Sequence, residues 1–120
     1  MTDAAAVEDF VALVEAGAFV AAMERYYADH ASMQENGGEP RRGLKTLIAG
    51  EEGFLAQNDS VVGKRLSAVM TDGGEVAIVW RWTITKDGVA RSFEEVSWQI
   101  WQDGKIVQER FFYDPAQMRG

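Results

Sequence analysis

Residues 76–113 read VAIVWRWTITKDGVARSFEEVSWQIWQDGKIVQERFFY, and this stretch decides the fold. Apolar and polar side chains alternate through it, in runs broken by Asp87-Gly88 and Asp103-Gly104. Period-two alternation is the pattern of half-buried strands, and Asp-Gly between two such runs marks a tight hairpin. With Asp72-Gly73-Gly74 as a third separator, the spacing predicts four strands, about Val61–Thr71, Glu75–Thr85, Val89–Trp101 and Lys105–Tyr113, joined as an antiparallel meander.

The pattern changes upstream. Val7, Phe10, Val11 and Val14 recur at helical spacing, giving a helix capped by Thr2 or Asp3, running through Glu15 and stopped at Gly17. Ala18 to Tyr27 reads as a second, short helix, and Gly43 to about Asn58 as a third with Leu44, Leu47, Ile48, Phe54 and Leu55 on its stripe. Gly50 and Gly53 weaken that helix by roughly 1 kcal/mol each relative to alanine, and Glu51 interrupts its stripe. Between the second and third helices, His30 to Glu35 is a short strand with Ala31, Met33 and Glu35 on one face, followed by a loop over residues 37–43. Three helices ahead of a long meander predict an α+β cone, the helices packed on a strongly curved antiparallel sheet with an internal pocket at its wide end.

The bulk numbers bound the function. At 120 residues and 47% hydrophobic, one domain spanning 1–120 is expected. Zero cysteines remove thiolate chemistry and disulfides, and a net charge of −7 opposes nucleic acid and anionic membranes. No stretch reaches the roughly 20 apolar residues of a membrane span, and the acidic N-terminus suits neither a signal nor a transit peptide, so the expected location is cytoplasmic. His30, the single histidine, is expected to be an exposed polar residue, with no metal and no organic cofactor.

Tyr27-Ala28-Asp29-His30-Ala31-Ser32-Met33-Gln34-Glu35-Asn36, with the Gly37-Gly38-Glu39-Pro40-Arg41-Arg42-Gly43 that follows, and the ending Asp103 to Asp114 resemble the SnoaL-like and ketosteroid-isomerase-like proteins of the nuclear transport factor 2 superfamily. The resemblance covers essentially the whole chain in element order. It implies the cone fold and a small-molecule pocket, in a superfamily of isomerases, cyclases, hydrolases, dehydratases and non-enzymatic binding domains. The general-base carboxylate of the isomerases falls on Glu35. Their oxyanion tyrosine falls on Phe10 and their oxyanion aspartate near Val96, neither of which is a donor.

Three side chains carry candidate chemistry. Glu35 shares a strand face with Met33, an apolar setting that suits a carboxyl to proton transfer; otherwise it is a rim residue paired with Arg41 or Arg42. Glu109 lies between Val107 and Phe111 at ±2, so it faces inward with them and requires a hydrogen-bond partner. Tyr113, four positions on, is a hydroxyl donor toward a bound carbonyl. The expected pocket lining is Phe10, Val14, Met33, Phe54, Trp80, Val96, Trp98 and Phe111. The 86–88 connection leaves one ambiguity. A three-residue link puts Glu94, Val96 and Trp98 beside Ile78, Trp80 and Trp82, whereas a two-residue Asp-Gly turn puts Glu95, Ser97 and Gln99 there. An acid–arginine–acid triad of the epoxide-hydrolase type is disfavoured, because Glu109 and Arg110 are sequence neighbours on opposite faces. Apolar residues on both faces, Val79 and Phe112 opposite Ile78 and Phe111, predict a homodimer through the outer sheet face. The reading is a pocket for a small, largely apolar carbonyl-bearing ligand. It either catalyses isomerisation or cyclisation with Glu35 as base, or binds without turnover.

Overall fold

The computed structural model describes residues 3–118. Three helices, α1 (Ala4–Glu15), α2 (Phe19–Tyr26) and α3 (Leu44–Ala56), cover a sheet of β1 (Tyr27–Glu35), β2 (Arg41–Arg42), β3 (Ser60–Met70), β4 (Glu75–Lys86), β5 (Val89–Gln102) and β6 (Lys105–Phe112). Asp3 caps α1 by accepting the Ala5 N–H at 2.9 Å, while Thr2, the alternative cap, lies outside the described residues. Gly17 follows α1 at φ 80°, the left-handed stop a glycine supplies.

The sheet order is β2-β1-β6-β5-β4-β3, so the sheet stays open. β3 to β6 form the antiparallel meander. The sheet is mixed rather than wholly antiparallel, because β1 lies parallel to β6. β2 and α3 separate β1 from the meander, and the free edge of β6 is where an early strand can add without breaking a hairpin. β2 was expected as loop; its two residues pair with Ser32 and Met33.

Asp87 and Gly88 both take positive φ, 52° and 78°, and Lys86 pairs with Val89. This is the two-residue turn whose twist matches paired strands. It sets Val76, Ile78, Trp80 and Trp82 on one face with Phe93, Glu95, Ser97 and Gln99. That face is the concave one. Val7, Phe10, Val11 and Val14 of α1 and Phe19, Ala22 and Met23 of α2 bury against it, with Ile78 and Ile106 fully enclosed. Each of these side chains larger than alanine contributes about 1.5–3 kcal/mol.

An extra residue, Val107, bulges from β6 between the Trp101–Ile106 and Ile100–Gln108 pairs. The bulge turns Ile106 and Glu109, three apart, to the same side, both buried. Val107 is therefore not the inward flank of Glu109 that simple alternation gives, although Phe111 is.

Candidate active site

The narrow half of the concave face is solid core. Phe10 packs edge-on against Trp101 with centroids 6.2 Å apart and touches the rings of Tyr26 and Tyr27. Val14 is buried in the same cluster. Both were expected in the pocket lining, but the helix stripe that suggested it is used up in packing.

Deep in this half lies Glu109, 2% exposed. Tyr27 donates its hydroxyl to Oε1, and Ser97 Oγ and Gln99 Nε2 donate to Oε2 at 2.5 and 2.7 Å. Gln99 Oε1 in turn accepts the Trp101 indole N–H at 2.9 Å. Burial pushes the Glu109 carboxyl up, against the pull of those donors. Burial, then the Glu109 charge, holds the Tyr27 hydroxyl well above its ordinary value. Tyr113 and Trp98 are not among these donors. The sequence pattern ends the second helix at Tyr27, whereas in the structure Tyr27 opens β1 and its hydroxyl reaches Glu109.

The wide half is different. Glu95 accepts the Trp82 indole N–H at 3.0 Å. Desolvation raises its carboxyl to about 8; the indole bond opposes this, and the charges of Glu109, Glu35 and Glu51 add to it. Glu51 of α3 is raised by burial and by Glu109, with Arg41 acting against both. Burial, then Glu35 and Glu95, raise the Tyr113 hydroxyl. These dependences bring Glu35, Glu51, Glu95 and Tyr113 into one electrostatic neighbourhood.

Backbone geometry explains the convergence. Asn36 sits at φ 49°, which asparagine tolerates, and ends β1. Its N–H donates to Phe111 O at 2.7 Å and its Oδ1 accepts the Tyr113 N–H at 3.1 Å. The ends of β1 and β6 are thereby tied, with Glu35 and Tyr113 on the same rim. Glu35 is half exposed and lies 3.8 Å from Arg41, a loose rim pair. Tyr113 packs its ring 5.9 Å from Phe93.

Of the expected lining, Met33 and Trp80 are buried on the concave face and Phe111 is half-buried there, opposite Ser97. Phe54 is 37% exposed on α3. Val96 and Trp98 are on the convex face, opposite Phe112 and Arg110, because the two-residue turn fixed the other parity. Phe93 and Glu95 take the inward places instead; both were legible only once that turn was settled. A groove of about 480 Å³ opens at the wide end, lined by Asn58, Ile84, Lys86, Val89, Arg91 and Phe93 among others. None of the eight expected lining residues forms its wall. His30 is exposed, and no cluster of metal-ligating side chains occurs among the described residues. Arg110 lies on the face opposite Glu109, with its guanidinium 4.7 Å from the Phe112 ring centroid.

The profile of the SnoaL-like domain matches residues 7–109. The chain belongs to the SnoaL-like domain family. No curated protein matches it in sequence. Among solved structures it resembles a Mesorhizobium loti protein described as a SnoaL-like polyketide cyclase, at 24% identity and TM-score 0.74, over 94% of this chain and all of that one. A Xanthomonas campestris protein of unknown function with a cystatin-like fold aligns at 19% identity and TM-score 0.83, over 98% and 95% of the two chains. An epoxide hydrolase of the LEH-like type from M. tuberculosis aligns at 17% and 0.78, over 94% and 83%. Identities this low establish the cystatin-like cone alone. The fold family includes enzymes, and no helix among the described residues of this chain is long and apolar enough to cross a membrane.

Proposed function

We propose that the wide half of the cone binds a small, largely apolar molecule bearing a carbonyl or hydroxyl and moves a proton on it, as in isomerisation or aldol-type cyclisation. The observation that carries this reading is the proximity of two unlike acids, Glu35 and Glu95, close enough for the charge of one to act on the other. Glu35 stands at a solvated rim, and Glu95 is desolvated against Trp82 and remains protonated at neutral pH. A solvated carboxyl beside a desolvated one divides naturally into base and acid. Glu35 removes a proton from the activated carbon, and the neutral Glu95 carboxyl and the Tyr113 hydroxyl donate to the oxygen on which charge develops. Glu95 would then supply the donor that Phe10 and Val96 lack. Glu109, already saturated by three donors, is better suited to holding the sheet than to proton transfer. Residues of this chain suffice for the chemistry without a metal or an organic cofactor.

A mass-spectrometric search for a co-purified molecule identifies the ligand, and solvent-deuterium incorporation into it tests the chemistry. Glu35→Gln is expected to lower exchange at least a hundredfold with the fold intact. Retention of the ligand with no exchange in the wild-type protein would favour the other class of reading, a binding domain without turnover, for which the missing donors at Phe10 and Val96 speak.

The convex face supports a homodimer. Val79, Val96 and Phe112 stand in one row across β4, β5 and β6, with Phe112 39% exposed. Light scattering at micromolar concentration is expected to give twice the chain mass, and Phe112→Asp to give the monomer; a wild-type monomer removes the dimer.

A further inference from the structure

Gly63 occupies the middle of β3, buried, with no positive φ to require glycine there. Glycine inside a strand weakens it, and its usual reason is the close approach of another group. That group is the Trp82 indole. A Cβ built on Gly63 would stand 2.5 Å from Cζ3 and 2.9 Å from both Cε3 and Cη2 of the ring. The ring cannot retreat freely, because Trp80 lies 5.4 Å and Phe19 6.0 Å away, centroid to centroid. Trp82 belongs to β4, with β3 on one side and β5 on the other. The benzo edge of the indole rests over Gly63 of β3, and its N–H, on the opposite edge, reaches Glu95 of β5.

We propose that Gly63 is a positioning residue, whose missing side chain seats the Trp82 indole so that its N–H occupies one oxygen of Glu95 and leaves the carboxyl proton on the other. The chemistry is that of the groups themselves. An indole N–H only donates, and a neutral carboxyl has one accepting oxygen and one O–H. With the indole on Oε1, the acid's proton resides on Oε2 and is presented to the ligand. This inference rests on Glu95 being the acid of the proposed pocket, but its test needs neither ligand nor turnover.

The groups that bear on Glu95 are Trp82 of β4, Glu109 of β6, Glu35 of β1 and Glu51 of α3, and of these only Trp82 favours the ionised form. Losing the indole bond should therefore raise the Glu95 midpoint. The measurement is an NMR titration of the Glu side-chain carboxyl carbons and the indole N–H resonances, with Glu95→Gln and Trp82→Phe as assignment controls. In the wild type, the Trp82 N–H resonance is expected to move with the Glu95 midpoint. Gly63→Ala is expected to remove that coupled response and raise the Glu95 midpoint by about one unit, a tenfold change in its ionisation constant. Trp82→Phe is expected to raise it equally, and Gly63→Ala added to Trp82→Phe to change nothing further. An unchanged indole response in Gly63→Ala, or a shift of equal size in the Trp82→Phe background, would overturn the proposal. If Gly63→Ala does not fold, Gly63→Ala combined with Trp82→Leu, which removes the ring, is expected to fold; its failure would also count against the indole as the reason for glycine. Loss of the catalytic reading, with no exchange on any ligand, would leave these titrations unmoved.

Discussion

Glu109→Ala is expected to destabilise the protein by about 3–5 kcal/mol, read as a lower denaturant midpoint. The carboxylate is the common acceptor for Tyr27, Ser97 and Gln99, all buried. Deleting it leaves three donors without a partner, each costing about 1–3 kcal/mol if nothing replaces the acceptor, and opens a cavity beside Ile106 and Met33. Water entering that cavity recovers part of the loss, hence the intermediate figure. Glu109→Gln preserves volume but sets an amide NH₂ against at least one donor, for an expected cost of about 1–3 kcal/mol. Tyr27→Phe, which removes one donor and leaves the acceptor two others, should cost the least of the three. A Glu109→Ala protein as stable as the wild type would show that the network is dispensable and that Glu109 is free for another role.

The second large effect is on pH. Folding holds the Glu95 carboxyl at about 8 against an ordinary 4.5, and it raises Glu51 and Glu109 as well. The folded state therefore binds more protons than the unfolded chain between these values. Stability from these groups is fully present below the ordinary carboxyl range and is lost as pH rises toward about 8. The slope from Glu95 alone is at most about 1.4 kcal/mol per pH unit, and residual solvent access will reduce it. Glu8 and Asp9, lowered by Arg65 and by Tyr26 with Arg25, act in the opposite sense, but only at the acid end. Thermal unfolding should thus show a Tm that falls from pH 5 to pH 8, contrary to the usual plateau. Glu95→Gln should flatten much of that fall and exceed the wild type in stability at pH 8. A wild-type Tm that is constant or rising across this interval would mean that Glu95 is hydrated and ionised, and would remove the acid from the proposed pair.

The sequence by itself determined the order and kind of the elements. Helical spacing in Val7, Phe10, Val11 and Val14, and Asp-Gly turns between alternating runs, act over a few residues, so their information is local and survives without the rest of the chain. The inward turn of Glu109 was also legible, since Phe111 shares its face across one strand repeat. What only the tertiary structure decided was everything that depends on the relation between strands. One residue more or fewer in the 86–88 connection exchanges the set Val96 and Trp98 for the set Phe93, Glu95 and Ser97, and both turns are compatible with the sequence. The Val107 bulge hides in a run whose alternation looks unbroken. Tyr27 meets Glu109, and Gly63 meets Trp82, across sequence separations that no periodicity encodes. The acid that best fits the chemistry, Glu95, is recognisable only by its burial against Trp82, and burial is a property of the assembled cone rather than of any segment of it.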